Sequence, residues 1–217
     1  MDYRIINGNC IDVLARIDSQ SIDCLFADPP YGNGTPYKSY DDTRENLTNL
    51  VRDFMPQALR VAKRVVITPG VKNMFLYPEP TWTLAWVNQA GIAWGFCCWQ
   101  PILVYGKDPY LQAGKGRQPD TYFQTKTESI KSSHPCPKPV NVMRWILERT
   151  SNEGDTILDP FCGSGITGVA AMQTDRNFIG IELDPTYAQI AETNIKQAKA
   201  QSKLFSIPKV MHIQTSF

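Results

Sequence analysis

Histidine is almost missing from this chain: His134 and His212 are the only two among 217 residues, which leaves little material for imidazole metal sites or proton shuttles. The six cysteines, Cys10, Cys24, Cys97, Cys98, Cys136 and Cys162, show no C-x-x-C spacing, and several lie in apolar surroundings. They read as reduced small hydrophobes, and no metal site is expected. No stretch approaches the roughly 20 apolar residues needed to cross a bilayer, and no basic-then-apolar segment opens the chain. An intracellular, cytoplasmic protein without membrane contact is the expectation. Excess charge is missing too: 22 Lys and Arg against 21 Asp and Glu give a net charge of +1, so a nucleic-acid surface has to be local.

What is present is enough apolar residue, 42%, for one substantial core and hence one domain over 1–217. Amphipathic runs predict helices over Asn46–Lys63, Thr83–Gln89, Val140–Arg149 and Thr186–Ala198. Apolar runs predict strands at Ile22–Ala27, Arg64–Thr68, Ile92–Phe96, Ile102–Tyr105, Thr156–Leu158 and Phe178–Ile181. That alternation implies an α/β fold with a mostly parallel sheet. Ile92–Phe96 and Ile102–Tyr105, joined through Gln100-Pro101, are expected to form an antiparallel edge hairpin. Pro56 should kink or divide the first long helix, and Pro137 and Pro139 suit a helix start.

Asp28-Pro29-Pro30-Tyr31 directly follows the first of these strands. Pro-Pro can simply end a strand, since proline has no N–H and a fixed φ. The combination also suits chemistry on a planar amine. The exocyclic nitrogen of adenine or cytosine is a poor nucleophile because its lone pair is delocalised into the ring. The Asp28 carboxylate and the Pro29 carbonyl could each accept an amine hydrogen and draw density back to nitrogen, with Pro30 stiffening the pair. Tyr31 offers a ring on which an extruded base stacks, worth about 1–3 kcal/mol, and a duplex base must flip out to reach it.

A second constellation lies in the last third. The strand Thr156-Ile157-Leu158-Asp159 runs into Pro160-Phe161-Cys162-Gly163-Ser164-Gly165-Ile166-Thr167-Gly168 and an apolar helix, and Glu182 ends the next strand. Gly163 to Gly168 fits G-x-G-x-x-G, a pattern shared by dinucleotide sites and by unliganded βαβ turns. A carboxylate at Asp159 would repel a pyrophosphate but could pair with the ammonium of a methionine moiety, which favours S-adenosylmethionine over NAD. Glu182 can accept from both hydroxyls of a ribose in either case.

The Asp-Pro-Pro-Tyr tetrapeptide followed by Asp159-Pro160-Phe161-Cys162-Gly163-Ser164-Gly165, in that order, resembles the DNA amino-methyltransferases of the β arrangement, in which the catalytic motif precedes the cofactor motif. The resemblance extends to His134-Pro135-Cys136-Pro137-Lys138-Pro139 and to Ile5-Ile6-Asn7-Gly8-Asn9-Cys10. The family usually has Gly-Asp where this chain has Gly8-Asn9, which keeps an acceptor for the cofactor's adenine amine but loses its charge. The resemblance implies a Rossmann-like S-adenosylmethionine-dependent fold, with a catalytic half at 1–105, a short target-recognition loop at 106–133 and a cofactor half at 134–217. It implies catalytic roles for Asp28, Pro29, Pro30 and Tyr31. It implies cofactor contacts from Asn9, Cys10, Asp28, His134, Lys138, Asp159, Phe161, Gly163, Ser164, Gly165, Thr167 and Glu182.

The expected reaction is methyl transfer to N6 of adenine in duplex DNA, because in that family an aspartate opening the tetrapeptide leans toward adenine. Cytosine N4 is the nearest alternative, and a non-catalytic DNA-binding relative the next. Double-stranded DNA is the expected partner, in a prokaryotic or phage-infected cell, with a second copy of the chain and a cognate restriction endonuclease as further candidates. Gly106–Ser133 carries Lys107, Lys115, Arg117, Lys126 and Lys131 among Tyr110, Tyr122 and Phe123, with Gln112, Gln118 and Gln124 as candidate base readers. Composition serves an ordinary solvated connection equally well. Gly32–Arg44, which follows Tyr31, is placed to close over a flipped base.

Overall fold

Strands at the centre of the sheet are apolar at every position because both of their faces are covered. In the computed structural model, which describes residues 1–88, 98–124 and 138–205 with side chains to residue 201, β2 (Cys24–Ala27) and β3 (Val65–Ile67) are buried throughout. Period-two alternation then sorts their side chains into two cores. Cys24, Phe26 and Val66 join Ile157 of β7 (Thr156–Asp159) and Phe178 of β8 (Asn177–Glu182) on one face, under α4 (Val140–Thr150), α5 (Ile166–Gln173) and α6 (Pro185–Phe205). Leu25, Ala27, Val65, Ile67, Leu158 and Ile181 face the other way, under α1 (Cys10–Leu14) and α2 (Arg44–Val61). Phe26 and Phe178 are fully buried, each worth about 1.5–3 kcal/mol of transfer free energy.

With β1 (Tyr3–Asn7), β4 (Trp82–Asn88), β5 (Trp99–Tyr105) and β6 (Thr121–Gln124), the described residues form one eight-stranded sheet in the order β1-β8-β7-β2-β3-β5-β4-β6. β5 alone among them runs antiparallel to its neighbours. The chain leaves β7 toward β8 and leaves β2 toward β3, in opposite directions across the sheet. Between the carboxyl ends of β2 and β7 this makes the switch point at which open α/β sheets hold ligands.

Three local expectations are corrected. Thr83–Gln89 is not a helix: Leu84 and Trp86 point into the core two residues apart, and that period-two apolar alternation makes β4. β4 takes the antiparallel place beside β5 expected of Ile92–Phe96, pairing Trp82 with Val104 through to Val87 with Trp99; residues 89–97 lie outside the described residues. Gln100 and Pro101 belong to β5 rather than to a connection. α2 is neither divided nor ended by Pro56, because Pro56 sits on the exposed face, where the carbonyl left without a donor meets water.

The region 106–124 also carries more structure than a loop. α3 (Pro109–Gln112) is capped by Asp108, and β6 extends the sheet parallel to β4. Gln124 is buried and accepts from the Trp86 indole at 3.1 Å, while Tyr122 packs on Trp145 with ring centroids 5.4 Å apart. Gln124 is therefore not presented as a base reader; Phe123 is the exposed member of the strand. Lys126 and Lys131 lie outside the described residues.

Candidate active site

Parallel register builds the first half of the site. Ala27 of β2 sits beside Ile67 of β3, so the next residues, Asp28 and Thr68, emerge side by side at the strand ends. The Thr68 amide donates to the Ala27 carbonyl at 3.0 Å and its buried hydroxyl donates to Asp28 Oδ1 at 2.7 Å. The Tyr31 hydroxyl donates to the same oxygen at 2.8 Å. Lys138, two residues before α4 and 11% exposed, pairs with that oxygen too, and its ammonium also donates to the Tyr31 hydroxyl at 2.8 Å. Burial first, and the adjoining Asp28 second, hold the Tyr31 phenol well above its ordinary pKa, so it stays a donor.

The backbone of the tetrapeptide is fixed from outside. The buried Asn73 amide donates to the Tyr31 carbonyl at 2.9 Å, and Arg44 bonds to the other end of the same amide. The following loop is folded around the buried Asp42, whose carboxylate accepts from the amides of Gly32, Asn33 and Thr35 at 2.6, 3.2 and 3.0 Å. Ser39 at its tip donates to Asp184 Oδ2 at 3.2 Å. The loop therefore reaches the end of β8, on the cofactor side, rather than closing over Asp28 alone.

The second half is the turn after β7. Asp159 is buried, accepts from the Phe161 amide at 2.9 Å, and bonds to Thr167. Desolvation is the main reason its carboxyl is pushed up to about 7. Glycine is required where the chain turns into α5: Gly165 has φ 84°, and a Cβ there would meet Ala191 at 2.9 Å. The Gly163 amide donates to Glu182 Oε2 at 2.8 Å and the Asp184 amide to Oε1 at 2.9 Å, so Glu182 fixes both turns. Burial raises its pKa as well.

A cavity of about 240 Å³ joins the halves, lined by Gly8 to Ile11, Asp28 to Tyr31, Thr35, Tyr37 to Tyr40, Lys138, Asp159 to Ser164, Thr167 and Glu182 to Asp184. Of the residues expected at the site, Asn9, Cys10, Asp28, Pro29, Pro30, Tyr31, Lys138, Asp159, Phe161, Gly163, Ser164, Thr167 and Glu182 line this one space. Gly165 stands behind it, shaping the turn; His134 lies outside the described residues. Asn9 has a local duty, since its amide oxygen caps α1 by accepting from the Ile11 amide at 2.8 Å. Burial holds the Cys10 thiol up to about 12, and Cys162 is raised by burial too, which makes both apolar wall rather than nucleophile. Thr68 and Asn73 were missed by sequence reasoning. The predicted strand Arg64–Thr68 held the signal for Thr68, because parallel pairing puts its last residue beside Asp28.

The site suits a cationic, methionine-bearing cofactor. Asp159 is a buried carboxylate that meets no basic side chain among the described residues, and it faces a glycine turn beside Glu182. Residues 79–193 match the family described as DNA methylase, with its N6 and N4 members. The chain belongs to that family. Among its relatives, the type II methyltransferase M2.MboI of Moraxella bovis is 26% identical over 88% of this chain and 86% of its own length. The DNA adenine methyltransferase YhdJ of Escherichia coli is 26% identical over 86% and 80%. The M1.HpyAVI–SAM complex shares the fold with TM-score 0.67 at 21% identity, over 89% of this chain and 98% of that one. The enzyme is an S-adenosylmethionine-dependent DNA methyltransferase acting on an exocyclic amine, and DNA is its substrate. No helix among its described residues is long and apolar enough to cross a membrane.

Proposed function

We propose that the enzyme methylates N6 of adenine in duplex DNA, with Asp28 and the Pro29 carbonyl as the acceptors that orient the amine. The observation that supports this most is the shared cavity: Asp28 and Asp159 stand at the ends of paired parallel strands, β2 and β7, and line one space. Methyl donor and acceptor would then meet without any strand having to move. S-adenosylmethionine supplies an electrophilic methyl on a sulfonium. Asp159 would take the ammonium of its methionine part, and Glu182 the ribose hydroxyls.

At the reacting centre the amine lone pair would form the N–C bond as the S–C pair returns to sulfur, and the surplus proton would pass from nitrogen to solvent afterwards. Asp28 and Pro29 stabilise the charge that develops on nitrogen, and positioning supplies most of the rest. The target base has to leave the duplex, because neither acceptor can reach a stacked amine. The proposed setting is the cytoplasm of a prokaryotic or phage-infected cell, with a cognate endonuclease as functional partner and a second subunit adding to the grip on DNA.

The test is direct reading of base modification in DNA from a methylation-deficient strain expressing this chain, beside one carrying Asp28→Ala. N6-methyladenine in one short motif, absent with Asp28→Ala, is the expected result. Methylated cytosine N4 would keep the chemistry and overturn the base assignment; no modification in either strain would overturn the reading on DNA.

A further inference from the structure

Asp28 Oδ1 receives three donors from three parts of the fold: Tyr31 from its own loop, Thr68 from just after β3 and Lys138 from just before α4. Oδ2 receives none among the described residues. We propose that Thr68 and Lys138 are positioning residues for the catalytic carboxylate: together they hold Oδ1 from behind, so that Oδ2 is presented at a fixed angle to the substrate amine. The resemblance to the family had put Lys138 with the cofactor; the geometry points to the acceptor instead, and the inference rests on the function proposed for Asp28.

A carboxylate at a strand end has free rotation about its Cα–Cβ and Cβ–Cγ bonds unless something stops it, and each misdirected rotamer removes an acceptor from the reacting nitrogen. Thr68 can act because strand register brings its hydroxyl to 2.7 Å with no linker. Lys138 can act because its stem is nearly buried, 11% exposed, and its ammonium bridges Asp28 and the Tyr31 hydroxyl. Tyr31 is tied into the same cluster from below, its carbonyl held by Asn73, so the ring cannot turn without disturbing the carboxylate.

The test measures single-turnover methyl transfer to DNA at saturating S-adenosylmethionine, and cofactor Kd by calorimetry, for Lys138→Met, Lys138→Arg, Thr68→Val and Thr68→Ser. Loss of a charge-assisted bond predicts a rate fall of about a hundredfold for Lys138→Met, and loss of a neutral one about tenfold for Thr68→Val. Cofactor Kd should stay within about threefold in both, with Thr68→Ser restoring most of its loss and Lys138→Arg part of its own. A Lys138→Met enzyme that binds the cofactor more than about tenfold weaker yet reaches the wild-type rate at saturation would assign Lys138 to the cofactor and overturn the proposal. Crystal structures of the wild type and of Thr68→Val, an isosteric change, read the carboxylate directly whether or not DNA is methylated. A rotated or split Asp28 in the variant supports the proposal; an unmoved one overturns it. Absence of methyl transfer by the wild type would count against the proposed function alone.

Discussion

Asp28 and Asp159 stand at the carboxyl ends of neighbouring parallel strands and open on one cavity, yet their surroundings differ in the feature that matters most for a charge. Asp28 is partly exposed and arrives with its own cation, Lys138. Asp159 is buried, meets no basic side chain among the described residues, and is pushed up to about 7. One carboxylate is satisfied internally and, in the proposed reaction, would need only a hydrogen-bond donor from the substrate. The other is poised for a cation from outside, because an arriving ammonium removes the penalty that burial imposes. Two residues of the same type, one strand apart, are thereby given different partners.

The comparison is broken most severely by removing Asp28. Asp28→Ala should lower single-turnover transfer by about a hundred- to a thousandfold, the range for deleting one group aimed at developing charge. Cofactor affinity should stay within about threefold, since that carboxylate already has its cation. A loss of cofactor binding as large as the loss of rate would show that the two carboxylates do not divide the work.

Asp159→Asn should produce the complementary result. Cofactor Kd rises about ten- to a hundredfold, the worth of a charge-assisted bond, while the rate at saturation falls much less. Stability moves the other way. The folded pKa of Asp159 lies above its unfolded value, so the favourable contribution of the protonated carboxyl is complete below about pH 4 and is lost as pH rises through about 7. Asparagine has no charge to bury, and the variant's Tm should exceed the wild type's at pH 8 but not at pH 4. Thermal scans of the cofactor-free proteins at the two pH values check this.

The same linkage sharpens the contrast in the wild type. If the cofactor's ammonium pairs with ionised Asp159, binding releases a proton below pH 7. Kd should then tighten by up to about tenfold per pH unit between pH 5.5 and 7 and level off above. Calorimetry in two buffers of different ionisation enthalpy reads the proton directly. A flat profile, or an unchanged slope in Asp159→Asn, would place the cation elsewhere.

The two carboxylates were legible in the sequence for the same reason: each sits in a contiguous motif directly after an apolar strand, so local pattern and chemistry coincide. What surrounds Asp28 was not. Thr68, Asn73 and Lys138 are 40, 45 and 110 residues further along the chain, and only the strand order brings them to one point. β4 was misread because Trp82, Leu84 and Trp86 form a short apolar alternation that a helical window also accepts. β6 was hidden in a polar segment, since an edge strand needs few buried residues: of its four, Gln124 alone is buried. Asp42 belongs to no motif, yet it organises the backbone from Gly32 to Thr35.

The smallest expected effect probes how independent the halves are. The loop after Tyr31 starts on the Asp28 side and ends with Ser39 on Asp184, next to Glu182. That hydroxyl bond ties this loop to the turn that follows β8. If the loop only roofs the cofactor, Ser39→Ala should raise cofactor Kd about two- to threefold, the range of one exposed neutral-to-charged bond, and leave the rate at saturation unchanged. If it also transmits cofactor occupancy to Tyr31, the rate should fall as well, and combining Ser39→Ala with Thr68→Val should cost more than the two changes added separately. Additivity within experimental error would mean that Asp28 and Asp159 share a cavity but not a mechanical connection.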